Sequence, residues 1–142
     1  MELAEIQIEL LKEEIKKLHR KLETDANDQK TKQSIREIRS ILQTPEVATP
    51  TENDQVEIGK EFTVRLDYGD DDTDTLTSIL VEKKLVANPH LTSTESLVGR
   101  AILGRSIGES FSYKLDNITV NGRILDARIP SMERARTIVK AK

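Results

Sequence analysis

One stretch of the chain carries the residue types of a phosphate-binding loop. Gly99, Gly104 and the pair Arg105-Ser106 fit the pattern Gly-x4-Gly-Lys-Ser, with arginine in place of the required lysine. Such a loop needs small residues, so that consecutive backbone N–H groups can turn toward the anion, and a flexible lysine that reaches the terminal phosphate. Three of the four intervening residues are instead apolar and compatible with a helix: Ala101, Ile102 and Leu103. We therefore reject a nucleotide site here.

The same stretch is better explained as a structural joint. A short helix is predicted to begin after Glu95-Ser96 and to end at Gly104, because glycine readily takes the left-handed conformation that ends a helix. A tight turn over residues 106–108 should then lead into a strand that starts at Glu109.

An acidic cluster in the middle of the chain resembles half of a calcium site. Asp70, Asp72 and Asp74 alternate as in the first half of an EF-hand loop. That loop requires glycine at its sixth position and glutamate at its twelfth, where this chain has Thr75 and Val81. We interpret the cluster as a solvated acidic turn, and no metal site is predicted.

Composition excludes several classes of function. The 142 residues include no cysteine, which excludes disulfides, thiolate catalysis and the common zinc sites. The two histidines, His19 and His90, are far apart in the sequence and suggest no catalytic triad or metal set. No apolar run approaches the roughly 18 residues that a membrane crossing needs, so we expect a cytoplasmic protein with no membrane role.

Charge argues against free duplex DNA as the principal ligand. Residues 1–45 carry 9 basic and 9 acidic side chains, and residues 46–142 carry 13 and 16. Binding to DNA phosphates requires a basic surface, and no segment of the chain forms a basic domain.

The first 45 residues are predicted to form an antiparallel helical hairpin, which we call the arm. Apolar residues recur at the three-four spacing of a coiled coil at Ile8, Leu11, Ile15, Leu18 and Leu22. A second run has the same spacing and begins with a threonine: Thr31, Ile35, Ile38 and Leu42. Facing residues of an antiparallel pair have a constant index sum. The pairings 22 with 31, 18 with 35, 15 with 38 and 11 with 42 share that sum, and its midpoint falls in the turn-forming residues 24–28.

The rest of the chain is predicted to be a small α+β domain. Residues 46–55 are polar and interrupted by proline, and they are interpreted as a linker. From residue 56 to 128 the period changes to that of strands: Phe62, Val64 and Leu66 share one face, and Asp116-Asn117 is a hairpin turn. Four or five antiparallel strands and one short helix are expected, followed by a basic tail at 129–142 that is either a frayed helix or disordered.

The order hairpin, linker, sheet domain resembles the bacterial Gre transcription elongation factors. The residues that carry the resemblance lie between Ser93 and Glu109 and follow the family pattern Ser-x2-Ser-x2-Gly-x-Ala-[Ile/Leu]-Leu-Gly-[Lys/Arg]-x-[Ile/Val]-Gly-[Asp/Glu]. The resemblance implies an FKBP-like sheet domain that docks at the rim of the RNA polymerase secondary channel, with the arm entering the channel. It also implies polymerase contacts near the short helix, for which Ser93, Ser96, Arg100 and Arg105 are the candidates.

The arm departs from the family pattern. Cleavage-stimulating members carry an acidic segment at the tip of a longer hairpin, where its carboxylates complete the Mg²⁺ site of the polymerase. Here that segment is absent, and the nearest acids are Glu23, Asp25 and Asp28. We interpret these three as helix caps and turn residues rather than metal ligands. A metal ligand must lie about 2 Å from the ion, and the tip of a shorter hairpin would not reach that far. Weak or absent stimulation of transcript cleavage is therefore expected, with a full cleavage factor as the alternative.

Other functions are weighed against this one. The chain is not expected to be an enzyme, to have a cofactor of its own or to take a small-molecule substrate. A prolyl isomerase pocket is built from aromatic residues, and this chain has only two Phe and two Tyr. The alternative from a different class is a dimerising module in which the helices pair between two chains. We expect a monomer.

Overall fold

The first two helices form the antiparallel hairpin that the apolar spacing predicts. The computed structural model describes residues 1–141. Helix α1 spans Glu5–Thr24 and helix α2 spans Gln29–Gln43. Leu11 and Ile38 are buried between them, and partly buried apolar residues of both helices pack against this pair. The two helices pair within one chain, so the predicted hairpin is confirmed.

The base of the arm is closed by a short parallel pair of strands. Strand β1, Glu2–Leu3, pairs with strand β2, Glu46–Val47, which directly follows the second helix. The backbone N–H of Ala48 then donates to the carbonyl of Leu3 at 2.8 Å. The two ends of the arm are thereby held together where the chain leaves it.

A five-stranded sheet forms the body of the molecule. Its strands are β3 (Glu61–Asp67), β4 (Thr73–Val81), β5 (Leu91–Ser93), β6 (Ser110–Leu115) and β7 (Ile118–Arg128). They lie in the order β5-β4-β3-β7-β6, and every pair is antiparallel except β4 with β5. The α+β class is confirmed. The expectation of a wholly antiparallel sheet is wrong at one edge, because residues 82–90 carry the chain back before β5 begins.

The inner face of the sheet is the one that alternation in the sequence identifies. Phe62, Val64 and Leu66 are all buried there, together with Ile124 of β7 and Phe111 of β6. Helix α3, Leu97–Ile102, covers this face through Ile102. The short helix predicted between Ser96 and Gly104 is thus present and packs on the core.

The end of the chain corrects the sequence analysis. Residues 132–139 form a second helix of the body, α4 (Met132–Val139), which begins at the N-cap Ser131. The expectation of a frayed or disordered basic tail is wrong for these residues. Ala135, Ile138 and Val139 recur on one face of the helix and are buried against β4 and the start of α1.

The predicted linker at 46–55 is held in place from within the body. Lys60 has a fully buried side chain, and its Nζ donates to Asn53 O at 2.9 Å, Asn53 Oδ1 at 2.9 Å and Gln55 O at 2.8 Å. Glu57 lies 3.3 Å from the same ammonium group. A single lysine therefore organises the segment that joins the arm to the sheet.

Candidate functional site

The tip of the arm is a four-residue turn built by its own acidic side chains. The backbone N–H of Asn27 donates to Asp25 Oδ1 at 3.3 Å, which closes the turn. Asp28 is the N-cap of α2, where Oδ1 accepts from the Thr31 N–H at 3.1 Å and Oδ2 accepts from Thr31 Oγ1 at 2.6 Å. Capping satisfies backbone donors that the first turn of a helix leaves free.

The electrostatics of the tip follow from this cap. The hydrogen bonds from Thr31 lower the pKa of Asp28, and Lys21, at 3.7 Å, lowers it further. The carboxylate is therefore charged at neutral pH, with both of its oxygens already bonded. Glu23 is exposed on the last turn of α1.

The three acids at the tip do not form a cation site by themselves. Within residues 1–141, no group of three or more histidine or acidic side chains is placed to hold a metal ion. Asp25 closes the turn, and Asp28 holds the start of a helix. The described part of the arm therefore offers no complete set of metal ligands of its own.

Two of the predicted contact residues have structural tasks around α3. Ser96 is the N-cap of the helix, and its Oγ accepts from the Gly99 N–H at 3.0 Å and donates to Ser93 O at 2.7 Å. Ser93 Oγ donates to Glu82 O at 2.9 Å, which ties β5 to the end of β4. The structure brings the two serines together, but their hydroxyl groups are already used within the chain.

The two predicted arginines lie on the exposed side of the same segment. Arg105 Nε donates to Ala101 O at 2.8 Å, and its guanidinium group lies 3.6 Å from Glu109. Arg100 is exposed on α3. Its backbone N–H donates to Ser96 O, but its side chain makes no hydrogen bond or ion pair within residues 1–141. Of the four predicted contacts, Arg100 has the side chain most available to a partner.

Apolar residues beside these arginines were missed by the sequence analysis. Leu97, Leu103 and Ile107 are exposed to 45%, 48% and 41% respectively, although each is a large hydrophobic side chain. Exposed apolar side chains gathered in one segment, with charged residues between them, are typical of protein contact surfaces. The helical spacing could have identified Leu97 as exposed. It lies three residues before the exposed Arg100, on the same side of α3, whereas Ile102 faces the core.

The other candidate groups are confined to structural roles. Asp70 and Asp71 have positive φ angles of 52° and 62° in the exposed turn between β3 and β4. His19 Nε2 lies 3.2 Å from Arg39 in the hairpin, and His90 Nε2–H donates to Ala141 O at 2.7 Å. No helix in the described part of the chain has the length and apolarity that a membrane crossing needs.

Comparison with known proteins finds one curated relative and several solved structures that resemble the chain. No protein-family model matches the chain. Over 97 residues it is 33% identical to the transcription elongation factor GreA of Thermomicrobium roseum, in an alignment that covers 66% of this chain and 60% of that protein. The chain is related to the Gre-type elongation factors. It matches about three fifths of the length of this relative, so the activity and partners of the whole relative are only proposed for this chain.

Solved structures of Gre-type proteins have a similar overall arrangement. Gfh1 of Thermus aquaticus is 18% identical with a TM-score of 0.41, and the match covers 88% of this chain and 91% of that one. A GreA/GreB protein of Nitrosomonas europaea is 21% identical with a TM-score of 0.42, and the match covers 80% and 91%. Likenesses at this level carry no weight for the function, and the relationship to Gre-type proteins rests on the sequence match.

Proposed function

We propose that this Gre-type chain is a regulator of transcription elongation that binds RNA polymerase at its secondary channel. The sheet domain would dock at the rim of the channel, and the arm would enter it. The proposal rests on the sequence relationship to an elongation factor. The chain has no catalytic chemistry of its own in this proposal and acts in the cytoplasm, where the polymerase works.

The observation that carries the proposal is the exposed segment 97–107, which we call the docking segment. It presents Leu97, Leu103 and Ile107 together with the exposed side chain of Arg100. Its backbone is fixed to Val56 at residues 104–105, because Val56 N–H donates to Arg105 O at 2.8 Å and Gly104 N–H donates to Val56 O at 2.9 Å. A rigid, partly apolar surface loses little conformational entropy on binding, which favours its use as a docking site.

A binding assay with matched variants tests the docking. Leu103→Asp and Arg100→Glu are expected to weaken binding to core polymerase by about tenfold or more, the effect of losing one interface hot spot. Leu125→Asp is the matched control, because Leu125 is exposed to 45% on another part of the sheet. Failure of the wild-type chain to bind core polymerase, or to compete with a full-length Gre factor, would refute the proposal.

The arm is proposed to occupy the channel without strong stimulation of transcript cleavage. Helix α1 has 20 residues and would be about 30 Å long, and the acids at its end are used in a turn and a cap. Asp28 accepts hydrogen bonds with both oxygens, and turning it toward a Mg²⁺ ion of the polymerase would break this cap. Competition with a longer factor for the channel needs no such rearrangement.

A cleavage assay on stalled complexes separates the two versions of the proposal. We expect little cleavage above the level of polymerase alone, and no change on Asp25→Ala. Strong cleavage that is lost in Asp25→Ala or Asp28→Ala would make the chain a complete cleavage factor. Binding to polymerase is measured in parallel, so that loss of docking is not mistaken for loss of cleavage.

A further inference from the structure

The C-terminal helix α4 contacts both parts of the molecule. On the body, Arg134 donates to the carboxylate of Glu61 in β3 at 3.3 Å, and Glu61 is almost fully buried. On the arm, Arg136 Nε donates to both carboxylate oxygens of Glu9 in α1 at 3.0 Å. The helix therefore has one ion pair to each side of the junction.

The apolar face of α4 completes a core that neither part has alone. Ala135, Ile138 and Val139 are buried in one cluster with residues of the arm and of the sheet. The other members of the cluster are Ala4 and Ile6 of the arm, and Ile79, Val81 and Leu91 of the sheet. Removing α4 would expose apolar surface on both parts, so burial of this surface opposes their separation.

Polar contacts fix the junction from the opposite side. Gln7 of α1 is fully buried, and its Nε2 donates to Lys83 O at 2.6 Å and Lys84 O at 3.2 Å. The end of α4 is held by the same loop, because Asn88 Nδ2 donates to Val139 O at 3.0 Å. Residues 83–90 therefore bond to the arm and to α4.

We infer that residues 131–141, the C-terminal brace, lock the arm and the sheet domain into one rigid body. Domains joined by a linker move relative to each other by default, unless a hydrophobic interface holds them. Here α4 supplies three of the eight buried residues of that interface. The brace fixes the direction of the arm relative to the docking segment. The rigidity itself is a property of the free chain. Only the effect of the brace on polymerase binding rests on the proposed function.

A distance measurement in the free protein tests the brace. The chain has no cysteine, so Arg20→Cys near the arm tip and Ser112→Cys on β6 give two unique spin-label sites, both exposed. Pulsed electron paramagnetic resonance should show one narrow distance distribution in the full-length chain. Ile138→Asp, which places a charge in the shared core, should broaden it about twofold or more, as expected for domains freed to move.

Charge reversal supplies a second, milder test. Arg136→Glu places a second carboxylate beside Glu9 and should also broaden the distribution, whereas adding Glu9→Arg should restore the narrow one. Lys140→Glu reverses a charge at the C-cap of the same helix, where the side chain has no ion pair in the described chain, and should leave the distribution narrow. The sheet core does not include α4, so amide exchange of β3 and β7 should remain slow in every variant.

The outcomes decide the inference without reference to polymerase. A broad distribution in the wild-type chain would overturn it. So would a narrow distribution in both Ile138→Asp and Arg136→Glu, since the arm would then be held without the brace. Should Ile138→Asp fail to fold, the Arg136→Glu and Glu9→Arg pair decides alone. Competition for core polymerase is a separate measurement, and its failure would count against the proposed function only.

Discussion

At the residue scale, Gly99 in α3 lies against the backbone of Ser93 and Thr94. A Cβ added at Gly99 would be 1.9 Å from Ser93 O and 2.9 Å from Thr94 Cα, and these backbone atoms cannot move without disturbing β5. We predict that Gly99→Ala lowers the free energy of unfolding by about 3 kcal/mol, the upper part of the range for overpacking.

Gly104 is the matched control for this prediction. A Cβ there would meet nothing within 4 Å, but the φ angle is +80°, so alanine would be strained only by its backbone conformation. Gly104→Ala should cost about 1 kcal/mol. Denaturant unfolding compares the two variants, and equal losses of stability would show that steric contact at residue 99 is not what destabilises Gly99→Ala.

A second residue-scale prediction concerns the pH dependence that Asp28 contributes. Its pKa is lower in the folded chain than the ordinary value of 3.8, chiefly through the hydrogen bonds from Thr31. A group with a lowered folded pKa contributes stability that is present above the unfolded pKa and is lost as pH falls through the folded one. Asp28→Asn retains a good N-cap and removes only the charge.

The thermal midpoint of Asp28→Asn should therefore fall below that of the wild type near neutral pH. The two midpoints should converge as the pH is lowered from about 5 toward about 2, where the wild-type carboxylate is protonated as well. Glu23→Gln is the control, since it removes an exposed carboxylate that makes no hydrogen bond in residues 1–141. A difference for Asp28→Asn that stays constant with pH would contradict the assignment.

The structural roles of some of these positions could be predicted from the sequence, and those of others could not. The pattern around Gly99 and Gly104 predicts a short helix with a left-handed stop, because both features are local to the sequence. The contact between Gly99 and Ser93 also depends on the path of strand β5, which the spacing of residues in the sequence does not reveal. Leu103 could not be recognised as exposed, since most leucines of a small domain are needed in its core.

At the element scale, the segment 51–60 depends on one buried lysine. The Lys60 ammonium group donates to three oxygens of Asn53 and Gln55, so Lys60→Met would remove three hydrogen bonds. Of these acceptors, Asn53 Oδ1 would keep the backbone N–H of Gln55 as a donor. We predict a loss of about 2 kcal/mol in the free energy of unfolding. Lys114→Met, at an exposed position of β6, is the control. A Lys60→Met variant as stable as the wild type would mean that burying the charge costs as much as its bonds return.

How well each element could be predicted from the sequence depends on whether residues close to it in the sequence determine it. The hairpin could be placed to within a few residues, because its two apolar stripes and its turn residues agree on one register. Helix α4 resembles a basic tail in the sequence, because Arg134, Arg136 and Lys140 lie in or just after its eight residues. Its apolar residues only gain a partner when the arm folds back onto the sheet. Lys60 resembles an ordinary surface charge in the sequence, and its burial is a tertiary effect.

At the scale of the whole molecule, the arm and the body share their packing instead of being joined by a free linker. Pairing of β1 with β2, the apolar cluster around Ile138 and the bonds of Gln7 all converge on the first two turns of α1. The exposed tip of the arm is therefore far from the part that is fixed. This arrangement suits a short projection that must keep one direction while a separate surface docks.

The same arrangement predicts the state of association. The apolar seam of α1 is covered by α2 of the same chain, and only four residues connect the helices, so pairing with a second chain would first require this hairpin to open. Opening would also release the cap that Asp28 forms on α2. We expect sedimentation equilibrium to show a single species of 16.0 kDa. A species of twice that mass, elongated in small-angle scattering and dissociated by Leu11→Asp, would instead favour a dimerising module. The exposed Lys12→Asp is the control, because the same charge placed outside the seam should leave either state unchanged.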